Sequence, residues 1–175
     1  MKRKLFLVVG IMLALGITSV SYAATSASTN VTVQTSDFAT VSQADGTDVV
    51  GSYGQQPVLS AEGSSGTIDS GDLYVVTPQG TGTGDIYGTL YLSNAAALTD
   101  SFSYLNFNVQ IYGFPEGGTD WEVVGDPLLL SLTNGYVNFT LTGDYSKYSV
   151  GVESGGFYLL NTSTVTDPEF FVEIK

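Results

Sequence analysis

Apolar and polar residues alternate with a period of two along much of this chain. In Leu105-Asn106-Phe107-Asn108-Val109-Gln110-Ile111 every odd position is apolar and every even one polar. Tyr136-Val137-Asn138-Phe139-Thr140-Leu141 repeats the pattern, with Val137, Phe139 and Leu141 on one side. Such alternation marks a sheet with one buried and one wet face. Extended runs are expected at 37–42, 56–61, 73–77, 86–92, 105–112, 121–124, 128–132, 136–141, 148–152, 157–160 and 170–174. Between them stand the breakers Gly63-Ser64-Ser65-Gly66, Gly80 to Gly84, Gly117-Gly118, Asn134-Gly135 and Gly155-Gly156. Asn134-Gly135, flanked by two apolar runs, is the strongest hairpin signal. Only 94–103, with Ala95-Ala96-Ala97-Leu98, suits a short helix. Many short strands with frequent turns predict an all-β sandwich.

The first residues break this pattern. Lys2, Arg3 and Lys4 precede an apolar stretch from Leu5 to Val20, and Ser21-Tyr22-Ala23 puts small residues at −3 and −1 before Ala24. That is the layout of a cleavable secretory signal peptide over 1–23. The other readings are a retained anchor and a pilin-type leader cut before the apolar stretch. The stretch is shorter than the ~20 residues a spanning helix needs, and it ends in a small-x-small site. A mature chain beginning at Ala24 is therefore expected, outside the cell and without a membrane segment.

Residues 24–35 form a distinct segment ahead of the sandwich expected over 36–175. Ala24 to Gln34 carries no charged side chain, and Ala27, Thr29, Val31 and Val33 are small or β-branched and share one face. Two readings fit this pattern. The segment is the first strand of its own sandwich, or a donor strand that completes the sheet of a neighbouring subunit by strand addition. Periodicity does not separate them.

Composition then narrows the chemistry. There is no His and no Cys, so Ser-His-Asp and Cys-His arrangements, His-based zinc sites and disulfides are excluded. After the leader only Lys147 and Lys175 remain as bases against 17 acids. Such a surface repels phosphate backbones and anionic lipid heads, which argues against nucleic-acid and membrane partners. No Arg is left to clamp a phosphate or carboxylate. A glycosidase-type carboxylate pair remains formally open, but the single Trp121 leaves little for a sugar platform. Gly80-Thr81-Gly82-Thr83-Gly84 lacks the Lys and helix of a phosphate loop and reads as a turn. No catalytic residue is expected. With 43% hydrophobic and 13% charged residues the chain should nonetheless fold around a core.

The leader ending in Ser21-Tyr22-Ala23, the Ser/Thr/Ala-rich strand after it, and the run Gly84-Asp85-Ile86-Tyr87-Gly88-Thr89-Leu90-Tyr91-Leu92-Ser93-Asn94 followed by an Ala-rich link and 105–112 form a recognisable layout. It resembles the TasA/camelysin-type biofilm fibre proteins, especially their archaeal relatives that build bundling pili. The resemblance implies a jelly-roll sandwich joined to the next copy by an N-terminal donor strand, for which 24–34 is the matching segment. It implies an extracellular homopolymer at the cell surface, with lateral contacts between filaments. The scarcity of Lys is a departure from the bacterial members.

Two further features attract attention. Asn30, Asn138 and Asn161 each begin an N-glycosylation sequon, which matters in an exported chain, although such triplets also arise by chance in a Ser/Thr/Asn-rich sequence. Asp69-Ser70-Gly71-Asp72 offers oxygens of the kind calcium takes, with Asp69 and Asp72 as the candidate ligands. No calcium-loop spacing is present, so solvated turn acids are preferred and no cofactor is required. The leading expectation is a self-assembling filament subunit. The alternative is a monomeric or surface-layer-associated module that binds glycan or calcium.

Overall fold

The computed structural model describes residues 21–26, 28–29, 39–44, 58–62, 65–79, 84–160 and 166–175. Its strands are β1 (Ser21–Ser26), β2 (Ser28–Thr29), β3 (Ala39–Gln43), β4 (Val58–Glu62), β5 (Ser65–Ile68), β6 (Gly71–Pro78), β7 (Ile86–Leu92), β8 (Phe102–Pro115), β9 (Glu122–Ser131), β10 (Tyr136–Leu141), β11 (Tyr145–Leu159) and β12 (Glu169–Ile174), with one helical turn α1 (Ala95–Leu98). They form an all-β sandwich of an eight-stranded and a four-stranded sheet. From β6 onward the chain passes repeatedly between the layers. β6, β8, β9 and β11 belong to the large sheet, and β7, β10 and β12 to the small one.

β11 is the spine of the large sheet. One side pairs along its length with β8, which in turn pairs with β9. The other side is shared: Tyr148–Val152 faces β6, and Gly155 to Tyr158 faces β5. This corrects the expectation that Gly155-Gly156 separates two strands. A Cβ on Gly155 would run into the carbonyl oxygen of Asn106 on β8 and the side chain of Ile68 on β5. The glycine lets three backbones approach closely where β11 changes partners.

The Asn134-Gly135 signal is also corrected. The turn is present, with Gly135 at φ +63°. Asn134 fixes it by accepting from the Ser131 amide at 2.7 Å and donating to the Leu129 carbonyl at 2.7 Å. Yet β9 and β10 do not pair with each other. β10 pairs with β7, so the turn carries the chain from one sheet to the other. The runs expected at 121–124 and 128–132 merge into β9, which is kinked rather than interrupted. Its bulge against β8 is filled by buried Gln110, whose Nε2 donates to the carbonyls of Ile111, Val124 and Gly125 at 3.1, 3.4 and 3.4 Å.

The core lies between the inner faces. Phe107 of β8 meets Phe170 of β12 edge-to-face, with centroids 5.0 Å apart, and Leu73, Leu90, Leu141 and Val150 around them are fully buried. The observed burial of β10, exposed and buried in strict alternation, matches the period-two reading. Among the described residues no helix is long and apolar enough to cross a membrane.

Candidate functional site

The edges of the sheets decide what another strand could join. In the small sheet the order is β10, β7, β12, β2. β12 runs antiparallel to β7 from Phe170↔Leu92 to Ile174↔Gly88. Tyr87 and Lys175 exchange both amide-to-carbonyl bonds, and Ser93 donates to Glu169 at 2.8 Å. In an antiparallel ladder, bonded pairs alternate. The amides and carbonyls of Phe170, Val172 and Ile174 therefore face away from β7. Their side chains are buried, so this edge is apolar beneath and turns backbone groups outward at its side.

The N-terminal segment meets that edge. β2 lies parallel to β12, with Ser28 opposite Glu169 and Thr29 opposite Phe170. Beyond Phe170, no described strand pairs with Val172 or Ile174. β1 meanwhile pairs antiparallel with β4 at one end of the large sheet, through Ser21↔Glu62, Tyr22↔Ala61, Thr25↔Leu59 and Ser26↔Val58. The expected cleavage point after Ala23 thus falls inside β1. The β9 edge differs from that of β12, because Pro127 removes an amide and the bulge bends the strand, both of which discourage pairing.

Of the four residues expected on the donor face, Thr29 is in β2, while Ala27, Val31 and Val33 lie outside the described residues. Asn30 and Asn161 lie outside them as well. Asn138 is exposed on β10, and its Oδ1 accepts a 2.9 Å bond from the Thr89 hydroxyl.

The two candidate calcium ligands have different environments. Asp69 is exposed, whereas Asp72 is 3% exposed and its Oδ1 accepts a 2.6 Å bond from Ser149. Among the described residues no group of three or more carboxylates is arranged to hold a metal ion.

Titration is perturbed at a few places. Burial pushes the Tyr74 hydroxyl above its ordinary range and also raises the Asp167 carboxyl. Lys175, bonded at 3.0 Å, holds Glu173 below its usual value, helped by the hydroxyl of Tyr91.

The sequence reading missed a set of aromatics on the outer face of the small sheet. Tyr136, Tyr91 and Phe171 form one row across β10, β7 and β12, with centroids 6.1 and 6.0 Å apart. Asn138, Thr89 and Glu173 form the next row, and Thr140 with Tyr87 begins a third. Alternation along 136–141 could have found Tyr136 on the Asn138 side, but only the β7–β10 register brings in Tyr87 and Tyr91. Trp121 is elsewhere, packed edge-to-face on Phe114 at 5.3 Å.

Compared with known proteins, the chain matches no protein-family model and no curated protein sequence.

Proposed function

We propose that this chain is the structural subunit of an extracellular filament, and that it has no enzymatic role. The N-terminal strand of one mature subunit completes the small sheet of the next. The observation that carries this reading is the seat of β2 on the outer edge of β12, beside Val172 and Ile174, whose outward backbone groups pair with no strand among the described residues. A strand that pairs at an edge of its own chain can make the same pairs in a neighbour, since the contacts are identical. The surrounding pairings support release. Cleavage after Ala23 would remove the Ser21 and Tyr22 pairs with β4 and leave those of Thr25 and Ser26. The main chain of the mature segment can supply affinity to another sandwich as it does to its own.

The layout shared with biofilm fibre proteins supports the same reading. An uncharged strand also suits an apolar edge, because burying an unpaired charge there would be costly.

The test is electron microscopy of the purified mature protein beside a variant lacking residues 24–34 and a Val31→Asp variant. Long filaments from the mature protein, with folded single subunits from both variants, are expected. Filaments from the deletion would overturn the proposal. Single subunits from the intact mature chain would favour the monomeric surface module instead.

A further inference from the structure

We propose that Asn138 carries an N-linked glycan whose first sugars lie flat on the tyrosines of the outer face of the small sheet. The inference rests on the exported state in the reading above, but not on polymerisation. Three observations converge. Asn138 and Thr140, the two ends of the sequon, are both exposed and on the same side of β10. Among the described residues β10 pairs on one side only, with β7, which puts the sequon on an edge strand. Around Asn138 the sheet then offers aromatic surface that its own fold leaves uncovered. Tyr136 is 50% exposed two residues before it on the same strand, and Tyr87 is 59% exposed on the neighbouring strand, opposite Thr140.

The chemistry suits a sugar. Its C–H face packs on aromatic rings while its hydroxyls need polar partners beside them. Glu173 and Lys175 supply such partners in the adjoining rows. Thr89 holds the Asn138 oxygen, and the amide nitrogen has no hydrogen-bond partner among the described residues. In the attachment, Asn138 Nδ2 attacks the anomeric carbon of a lipid-phosphate-linked oligosaccharide in the host's transferase. The C–N bond forms as the C–O bond to phosphate breaks, the amide gives up one proton, and the lipid phosphate departs. Asn138 keeps its carbonyl and therefore its bond from Thr89.

Mass spectrometry of the protein purified from the outside of its native host should find the peptide containing Asn138 carrying sugar, and Asn138→Gln or Thr140→Val should abolish it. Thr140→Val, which removes the sugar but keeps the Thr89–Asn138 bond, should also lower the thermal midpoint by roughly 2–4 °C, the shift of a modest contact in a domain of this size. In a Tyr87→Ser/Tyr136→Ser background that drop should vanish. Unmodified Asn138 on a secreted protein starting at Ala24 would overturn the inference while leaving the filament reading intact. A glycan whose removal costs the same with and without the tyrosines would overturn the docking. Recovery of the protein only from inside the cell would overturn the export reading, and this inference with it.

Discussion

Tyr74 of β6 and Phe170 of β12 tie the two sheets together through a 2.6 Å bond from the tyrosine hydroxyl to the phenylalanine carbonyl. Both side chains are fully buried, and Phe170 also meets Phe107 edge-to-face. The carbonyl that Tyr74 reaches is one of the β12 groups facing away from β7. The tyrosine therefore anchors the strand proposed to receive the donor.

Tyr74→Phe keeps the ring and removes the hydroxyl, leaving a buried carbonyl without this donor. A loss of about 1–2 kcal/mol is expected. Urea unfolding should show a lower midpoint with an unchanged slope, since the surface exposed on unfolding is the same.

Gly155 and Gly156 are neighbours with opposite tolerances. Gly155→Ala should cost about 3 kcal/mol, because the new methyl meets backbone of β8 and side chain of β5 together. At Gly156 the nearest atom to an added Cβ is 3.6 Å away, ordinary contact. Gly156→Ala should therefore be neutral or gain up to ~1 kcal/mol by restricting the unfolded chain. Thermal unfolding of the two variants checks the contrast.

Asp167 has a carboxylate oxygen buried without a hydrogen-bond partner among the described residues, and burial raises its pKa. A folded pKa above the unfolded one means that the folded state holds the proton more tightly. The associated stability is present below the carboxylate range and lost as pH rises through it. Asp167→Asn should stabilise the fold near neutral pH, by no more than ~1 kcal/mol in a half-buried position screened by solvent, and raise the thermal midpoint accordingly. Well below the carboxylate range the two proteins should melt together. Glu173 shifts in the opposite direction, but it is common to both proteins and cancels in the difference.

Strand identity was most legible where alternation was long and the breakers were real. The runs expected at 86–92 and 136–141 match β7 and β10 to the residue. β5 escaped notice because Ser65-Gly66-Thr67-Ile68 has one apolar residue and sits beside glycines that read as turn. The same two letters misled at Gly155-Gly156, where glycine serves close packing rather than a turn. At Asn134-Gly135 local chemistry specified the bend but not which sheet the next strand would join. That choice is made by tertiary packing, which local pattern does not encode. Of the site, the uncharged segment 24–34 was legible as extended where it is described, at 24–26 and 28–29, but the partners of these two strands were not. Pairing within a chain and between chains uses identical backbone groups, so no residue pattern distinguishes them. The tyrosine bed depends on register across β7 and β10.

The absence of cysteine makes the central claim directly measurable. Ser28 and Glu169 are neighbours across the β2–β12 pair, so a Ser28→Cys/Glu169→Cys variant puts two thiols at that junction. The mature variant should be assembled, oxidised and run on a denaturing gel without reductant. If the N-terminal strand pairs with the next subunit, the gel shows a ladder of covalent dimers, trimers and longer chains that collapses on reduction. A single internally bridged monomer band, from material seen as filaments before oxidation, would contradict the account.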